Sequence, residues 1–473
     1  MNRRLTIICL TALLAAVSLH AEDFADASQT RSRSVFTLEE CVRMCRENDP
    51  YVKNARLDVL SAQEQKTEAV WSYFPSLSLS GIGFYAFNPL LKVTLSDILG
   101  KSDAARDLTE QITAAANEYG VNSTFTTFKQ GYGVSLMALQ PLYTGGRIIS
   151  GNRLASLGIE AARLQSRVRE RQSVQDVEKK YWTVVALQEK WRTLDHTDSL
   201  LCSIERDVVS AVSAGLATES DLMQVALKKK ELSSGRIRLR SGLALAKMDI
   251  FNAIGYEYSY SSLDDIVFEG GMLSSDELLS PNSYVVPEDK VGEFDETRLL
   301  QMQVESKRLE KKMQVGEYLP SLALGASCGY GDFQSRSHGT LNSAVFATVK
   351  IPLTDVGKAV SRAKRYEYQI EKASNERQYL DSQLLLQLRQ LQLSMESAWQ
   401  QMEVSREASA VAQDSFDRVK ADYDAGLATV SELLQSELEL RGCEEELIDR
   451  RIDYFNAVSD YRSRVGAADT ENK

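Results

Sequence analysis

Two threonines and two carboxylates carry the most specific chemical signal in this 473-residue chain. Thr218 stands three residues before Asp221 in SAGLATESDLMQ (Ser213–Gln224). Thr429 stands three before Glu432 in DAGLATVSELLQ (Asp424–Gln435). At that spacing a hydroxyl and a carboxylate can each accept the other residue's backbone N–H at a helix start. Thr-x-x-Glu is the full capping box, and Thr-x-x-Asp a partial one. This is chemistry of position and charge, not of bond-making. Beyond the N-terminal leader the only histidines are His196 and His338, and Cys41, Cys45, Cys202, Cys328 and Cys443 are spread widely. There is no nucleophile–base pair, no phosphate-binding loop and no His/Cys/carboxylate cluster with metal-ligand spacing. The expectation is a protein that is not an enzyme, with no cofactor and no metal.

The same twelve residues dictate the elements around them. Gly215 and Gly426 can take the left-handed conformation that ends a helix. Thr218 and Thr429 then cap the next helix. Leu216 and Leu427, held between stop and start, are pushed outward at the tip of a helical hairpin. The two copies lie 211 positions apart, so the chain is internally duplicated. QPLYTGGR (Gln140–Arg147) answers IPLTDVGK (Ile351–Lys358) at the same offset. YFPSLSLSGIGFY (Tyr73–Tyr85) answers YLPSLALGASCGYG (Tyr318–Gly331) at an offset of 245. The offsets differ by 34, so the first half holds that much extra chain within Asn88–Lys129, read as a long polar loop.

Proline is scarce, eight in the chain, with none between Pro141 and Pro281 or after Pro352. Very long helices are therefore permitted. From Arg147 to Ala211 an uninterrupted helix would run roughly 95 Å. Leu154, Leu157, Ala161, Leu164 and Val168 alternate spacings of three and four, which is a narrow coiled-coil seam. Val174, Val177, Tyr181 and Val184 resume it, and Leu384, Leu388, Leu391 and Met395 repeat it in the second half. Thr37 with Glu40 offers a third capping box, with Phe36 as its staple residue. Met137, Met223, Met248 and Met395 are read as packing residues.

The chain opens MNRRLTIICLTALLAAVSLHAEDF, a charged start, an apolar run and a small residue. That pattern predicts a secretory signal over 1–21. Cys9 lacks the small residues that precede a lipid-attachment site, so a free N-terminus is expected after export. Residues 22–35 are expected to be flexible. No later run is long and apolar enough for a membrane-spanning helix. A net charge of −11 argues against a nucleic-acid partner. Cys41 and Cys45 share one helical face, whose geometry does not suit a disulfide, and are read as small buried hydrophobes.

Four segments alternate with period two, the signature of strands. In SLALGASCGYG, Leu322, Leu324, Ala326, Cys328 and Tyr330 share a face, and in AVFATVKIPL, Val345, Ala347, Val349, Ile351 and Leu353 do. The opposite faces are small or polar and include Ser321, Gly325, Ser327, Thr348 and Lys350. Strands of about ten residues can cross an outer membrane when tilted. Four of them cannot close a barrel, and open edges in lipid are forbidden. Several copies must therefore pool their strands, and three would leave an open lumen.

Taken in order, YFPSLSLS and YLPSLALG, QPLYTGGR and IPLTDVGK, AGLATESDLMQ and AGLATVSELLQ, with ENDPYVKNARLDVLSAQ at Glu47–Gln63, resemble the TolC family of outer-membrane efflux proteins. The resemblance spans about Phe36 to Gly466. It implies a mainly α fold with a membrane β-barrel portion. Two structural repeats would supply long coiled-coil hairpins to a periplasmic tunnel and four strands to a shared trimeric barrel. It further implies a homotrimeric exit duct in outer-membrane lipid, joined to a periplasmic adaptor (a membrane fusion protein) and an inner-membrane pump, serving efflux or type I secretion. On this plan residues 36–255 form the first repeat, with strands 76–87 and 130–142 and a tip at 214–218. Residues 256–296 form an equatorial insert. Residues 297–466 form the second repeat, with strands 321–331 and 344–353 and a tip at 425–429, followed by a tail, 467–473. Gly215, Leu216, Gly426 and Leu427 match the family's exposed Gly-Leu positions, where adaptor hairpins dock. Asp221 and Glu432 would each form a ring of three carboxylates at a periplasmic gate, favouring cations. Tyr423 matches a position at the closed entrance, and Lys350 would face the lumen. Two departures stand out. Ala428 replaces a gate-locking arginine of some members and Gln435 a second acid, so different closed-state bonds and a looser gate are expected. The competing reading is an exported structural coiled-coil surface protein without a channel. It accounts for the helices and the leader but not for paired strands of lipid-spanning length.

Overall fold

The computed structural model describes residues 35–87, 91–94, 103–118, 124–127, 130–270, 280–283, 294–332 and 339–465. The expected signal, the segment 22–34 and the expected tail lie outside these residues. In chain order the elements are β1 (Val35–Phe36), α1 (Leu38–Asn48), α2 (Pro50–Trp71), β2 (Ser76–Tyr85), β3 (Leu91–Thr94), α3 (Asp103–Glu118), β4 (Thr124–Thr127), β5 (Gln130–Thr144), α4 (Arg147–Ser213) and α5 (Glu219–Ile254). They continue with β6 (Val267–Phe268), α6 (Asp295–Gly316), β7 (Ser321–Asp332), β8 (Thr340–Lys350), α7 (Val356–Asp424) and α8 (Val430–Val465). At 67 and 69 residues, α4 and α7 are the long helices that the missing prolines permit. Among the described residues no helix is long and apolar enough to cross a membrane.

The chain divides into two compact units. One is built from residues up to Lys53, Glu170–Val286 and Gln387–Gly466, the other from Asn54–Arg169 and Pro287–Leu386. The second unit holds a four-stranded antiparallel sheet in the order β2-β5-β7-β8. Register puts Leu79 opposite Leu136, Leu136 opposite Cys328, Ala326 opposite Val345 and Leu322 opposite Val349. Cross-strand partners share a face, so these residues form one largely apolar surface, while Ile82, Phe84, Met137, Leu139 and Phe346 lie on the other. The other surface carries Ser78, Ser80, Ser135, Ser327, Gly329 and Thr348. Leu77, Leu79, Leu341, Val345 and Val349 are exposed to solvent in the single chain. Strand bounds differ from expectation at the ends: β2 stops at Tyr85, β5 runs on to Thr144, and β8 covers Thr340–Lys350. The register of β5 shifts between Pro141 and Tyr143, where proline has no N–H to give the ladder.

Two sequence expectations are corrected. The extra chain of the first half is not simply a polar loop. Leu91 to Thr94 pair antiparallel with Thr127 to Thr124, and α3 lies between them in sequence. Leu108 and Ile112 stand four apart on an alanine-rich helix whose polar residues hide its propensity. Val35 is not part of a flexible segment either, since it pairs in parallel with Val267, and Phe36 with Phe268.

That two-residue ladder is held by the first unit's main core. Phe36, Tyr181, Trp182, Ile250, Phe251 and Phe268 are buried there with Cys41 and Cys45, both free thiols. The Tyr181 hydroxyl reaches the carbonyls of Glu269 (2.7 Å) and Phe36 (3.2 Å). Gln188 mimics a further strand: its amide donates to Phe268 O (2.8 Å) and its oxygen accepts Phe268 N–H (3.0 Å). Lys247 is buried, and its ammonium donates to the carbonyls of Leu263 and Ile266, each at 2.7 Å. In the second unit, Asp295 in the first turn of α6 is buried and accepts two bonds from Arg167 (2.7 and 3.3 Å). Met395 is buried as expected and Met248 packs on the core, while Met223 and Met137 are exposed in the single chain.

Candidate functional site

The two tips share the same paired stop bonds. At the end of α4, Leu216 N–H donates to Ala211 O (2.8 Å) and Gly215 N–H to Val212 O (3.0 Å). At the end of α7, Leu427 N–H donates to Asp422 O (2.7 Å) and Gly426 N–H to Tyr423 O (2.9 Å). These paired bonds define a Schellman stop, which needs a left-handed residue at its centre. Gly215 has φ +72° and Gly426 +75°, and a Cβ on either would touch nothing. Glycine is there for the backbone conformation and not for space. The stop leaves Leu216 84 % and Leu427 80 % exposed.

Each following helix starts on a reciprocal box. Asp221 N–H donates to Thr218 Oγ1 (3.3 Å), and Thr218 N–H to Asp221 Oδ2 (2.9 Å). Glu432 N–H donates to Thr429 Oγ1 (3.2 Å), and Thr429 N–H to Glu432 Oε2 (2.7 Å). The sequence ranks Asp221 as only a partial box, but the shorter arm closes it equally well. In both boxes the threonine hydroxyl also donates to the same carboxylate oxygen. The threonine backbone N–H, then its hydroxyl, hold both carboxyls below the usual carboxylate range. The second oxygen of each makes no hydrogen bond among the described residues. Each acid thus caps its helix and keeps one oxygen available.

Tyr423 is half-buried against the apolar cluster of the tips, which includes Val208, Val225, Phe416, Val430 and Leu433. Burial, and then the charges of Asp207, Asp424 and Asp221, push its phenol above its ordinary range. Ala428 is half-buried, its N–H donating to Asp422 O (3.2 Å). Gln435 donates to Glu439 on its own helix (2.9 Å). Lys350 is the last residue of β8, opposite Ser321 on the small and polar face of the sheet. Among the described residues no group of His, Cys, Asp or Glu could hold a metal ion.

Two further features were not singled out from sequence. Glu437 is only 5 % exposed, and its Oε1 has no partner. Burial pushes its carboxyl up, against the opposing effects of Arg441, Thr197 and Lys228. Its one sequence signal is that it continues the stripe of Val430, Leu433 and Leu434. In the second unit, the Gly145 turn after β5 crosses the end of α6. A Cβ on Gly145 would sit 2.2 Å from Gly316 O, and one on Gly316 2.5 Å from Gly145 O. Gly145 shows in the TGGR motif, but nothing in the sequence marks Gly316 as its neighbour.

The long helical hairpins, the register-matched strands and the duplicated caps define a fold that can be compared with known proteins. Residues 299–466 match the family described as outer membrane efflux protein. No curated protein matches its sequence. Among solved structures, a membrane protein from Pseudomonas aeruginosa shares 14 % identity at a TM-score of 0.70, over 90 % of each chain. The channel protein CusC shares 14 % at 0.69, over 93 % of this chain and 95 % of its own. The outer membrane protein VceC from Vibrio cholerae shares 14 % at 0.68, over 91 % of this chain and 96 % of its own. At such identities the likeness is one of fold, and it spans both repeats. The chain carries the fold of these structures.

Proposed function

We propose that three copies of this chain pool their strands into one outer-membrane barrel and form the exit duct of a tripartite efflux or type I secretion system. The observation that carries this reading is the sheet: four strands, two open edges, one face mostly apolar and the other mostly small or polar but for a few apolar side chains such as Met137 and Phe346. Such a sheet is unstable alone in lipid, because its edge N–H and C=O groups have no partner. It suits a shared barrel whose lumen is lined by Ser80, Ser135, Ser327, Thr348 and Lys350. The energy of transport comes from an inner-membrane pump through a periplasmic adaptor. The docking positions are Gly215, Leu216, Gly426 and Leu427, where exposed leucines are presented by a stop that helix capping alone does not require to be apolar. The gate is assigned to Asp221, Tyr423 and Glu432, whose acids, gathered around a three-fold axis, attract cations.

Planar-bilayer recording of the purified protein tests the duct. Steady conductance with block by divalent or trivalent cations is expected, and Glu432→Ala should relieve that block. Absence of any conductance would refute the channel, while unchanged block would remove the carboxylate ring alone. Leu216→Ser with Leu427→Ser should lose co-purification with the adaptor and leave conductance intact.

A further inference from the structure

The two hairpins of the sheet are one hairpin used twice, to the residue. Shifting β2 by 245 positions and β5 by 211 carries the pair Ser76–Leu139 onto Ser321–Lys350, and Tyr85–Gln130 onto Tyr330–Leu341. Both resulting pairs belong to the register of β7 with β8. The seam between the hairpins, β5 with β7, is observed once. β2 and β8 are the edges of the sheet, and each presents a row of N–H and C=O groups ready to template another strand.

We propose that β8 pairs antiparallel with β2 of a second copy of this chain, in the register given by carrying the β5–β7 seam through the same two shifts. The proposal rests on the shared-barrel reading above and adds its residue-level seam. Val345 then lies opposite Tyr85 of the partner subunit, Phe346 opposite Phe84 of the partner subunit, and Ala347 opposite Gly83 of the partner subunit. Lys350 lies opposite Ser80 of the partner subunit.

The residue types agree with this assignment. Within the chain, Val134 faces Tyr330 on the apolar surface, and the shifted pair is again a valine and a tyrosine. Val345 is 77 % and Tyr85 61 % exposed in the single chain, as an unmade pair requires. On the other surface, Ser135 facing Gly329 becomes a pair of phenylalanines, a favourable cross-strand combination. The far end of the Phe346 ring already lies over Gly325, where a Cβ would stand 2.3 Å from it, so glycine makes its room on that surface. A slip by one residue would set Val345 on the face opposite to its neighbours in the next copy, and a slip by two would break the valine–tyrosine match.

Cysteine cross-linking of the full chain tests the register, with Cys328→Ser removing the thiol already on that face. Directly opposed Cα atoms stand about 4.5–5.5 Å apart, within disulfide reach, and diagonal ones about 7–8 Å, beyond it. Val345→Cys with Tyr85→Cys should cross-link on oxidation about tenfold more than Val345→Cys with Gly83→Cys or with Phe87→Cys. Ala347→Cys with Gly83→Cys is a second matched pair, should the first lower the yield of folded protein. Heat-modifiable gel migration verifies that each variant is folded. Better cross-linking by a slipped pair would overturn the register and leave the shared barrel standing. A trimer by light scattering in which neither matched pair links would overturn the seam. A folded monomer in detergent would overturn the shared barrel, and the seam with it.

Discussion

Thr218 and Thr429 satisfy backbone N–H groups that a helix start leaves orphaned. Replacing either with alanine should cost about 1 kcal/mol. Amide exchange in the first turn of α5 or α8 should then quicken roughly fivefold, with Thr→Ser close to wild type. Gly215→Ala or Gly426→Ala should cost about 1–2 kcal/mol, from the left-handed backbone alone, since no atom stands in the way. Asparagine there should cost less. Glu437 behaves differently. Its pKa is raised in the folded chain, mainly by burial, so the folded state binds a proton more tightly than the unfolded one. Its penalty is absent below the unfolded pKa and grows as pH rises through the window between the unfolded and folded values. Glu437→Gln should therefore raise the melting temperature at neutral pH and flatten its fall between acid and neutral pH. Burial also pushes the Glu444 carboxyl up, with the charge of His196 opposing and those of Glu437 and Glu445 adding.

Among the elements, the turn between β5 and α4 has the least freedom. Gly145→Ala combines φ +64° with a 2.2 Å approach to Gly316 O, and should cost on the order of 3 kcal/mol. Gly357→Ala, next to the corresponding turn of the second repeat, meets nothing within 4 Å and should be silent. Thermal melts of the two variants side by side check the contrast. The helix ends were legible in the sequence because capping is local chemistry: a glycine stop, a threonine start and a carboxylate one turn on suffice. The faces of β7 and β8 were legible because period two needs only neighbours. Strand order and register were not, since they depend on residues far apart in sequence. The helix Asp103–Glu118 was hidden by its polar composition, and the Gly145–Gly316 crossing by a separation that no motif spans. Glu437 was hidden because a buried acid and a solvated one look alike in a heptad.

For the whole molecule, the two repeats divide the work differently although they share a plan. Both tips repeat the paired bonds of the stop and the reciprocal box of the start, so either can present its leucine in the same pose. The two acids of the tips differ by one methylene, Asp221 against Glu432, and each still has one oxygen uncommitted. If both rings contribute to the gate, Asp221→Asn with Glu432→Gln should abolish cation block, while each single change only weakens it. Bilayer recordings at fixed salt separate these outcomes. Conductance itself should persist in all three variants, because the sheet proposed to cross the membrane is untouched.

Cys41 and Cys45 sit at the bottom of the core that closes over Phe36, and burial, assisted by Glu40 for the first and Asp49 for the second, pushes both thiols up to about 12. At neutral pH they stay protonated and inert, although the space outside the inner membrane is oxidising. The hazard lies earlier, while the polypeptide is still open and its sulfurs bare. Docking of the first helix works like a lid on a jar: once seated, it preserves the sulfurs as they were at that moment. A thiol-alkylating dye would then record, molecule by molecule, which chains were sealed in time.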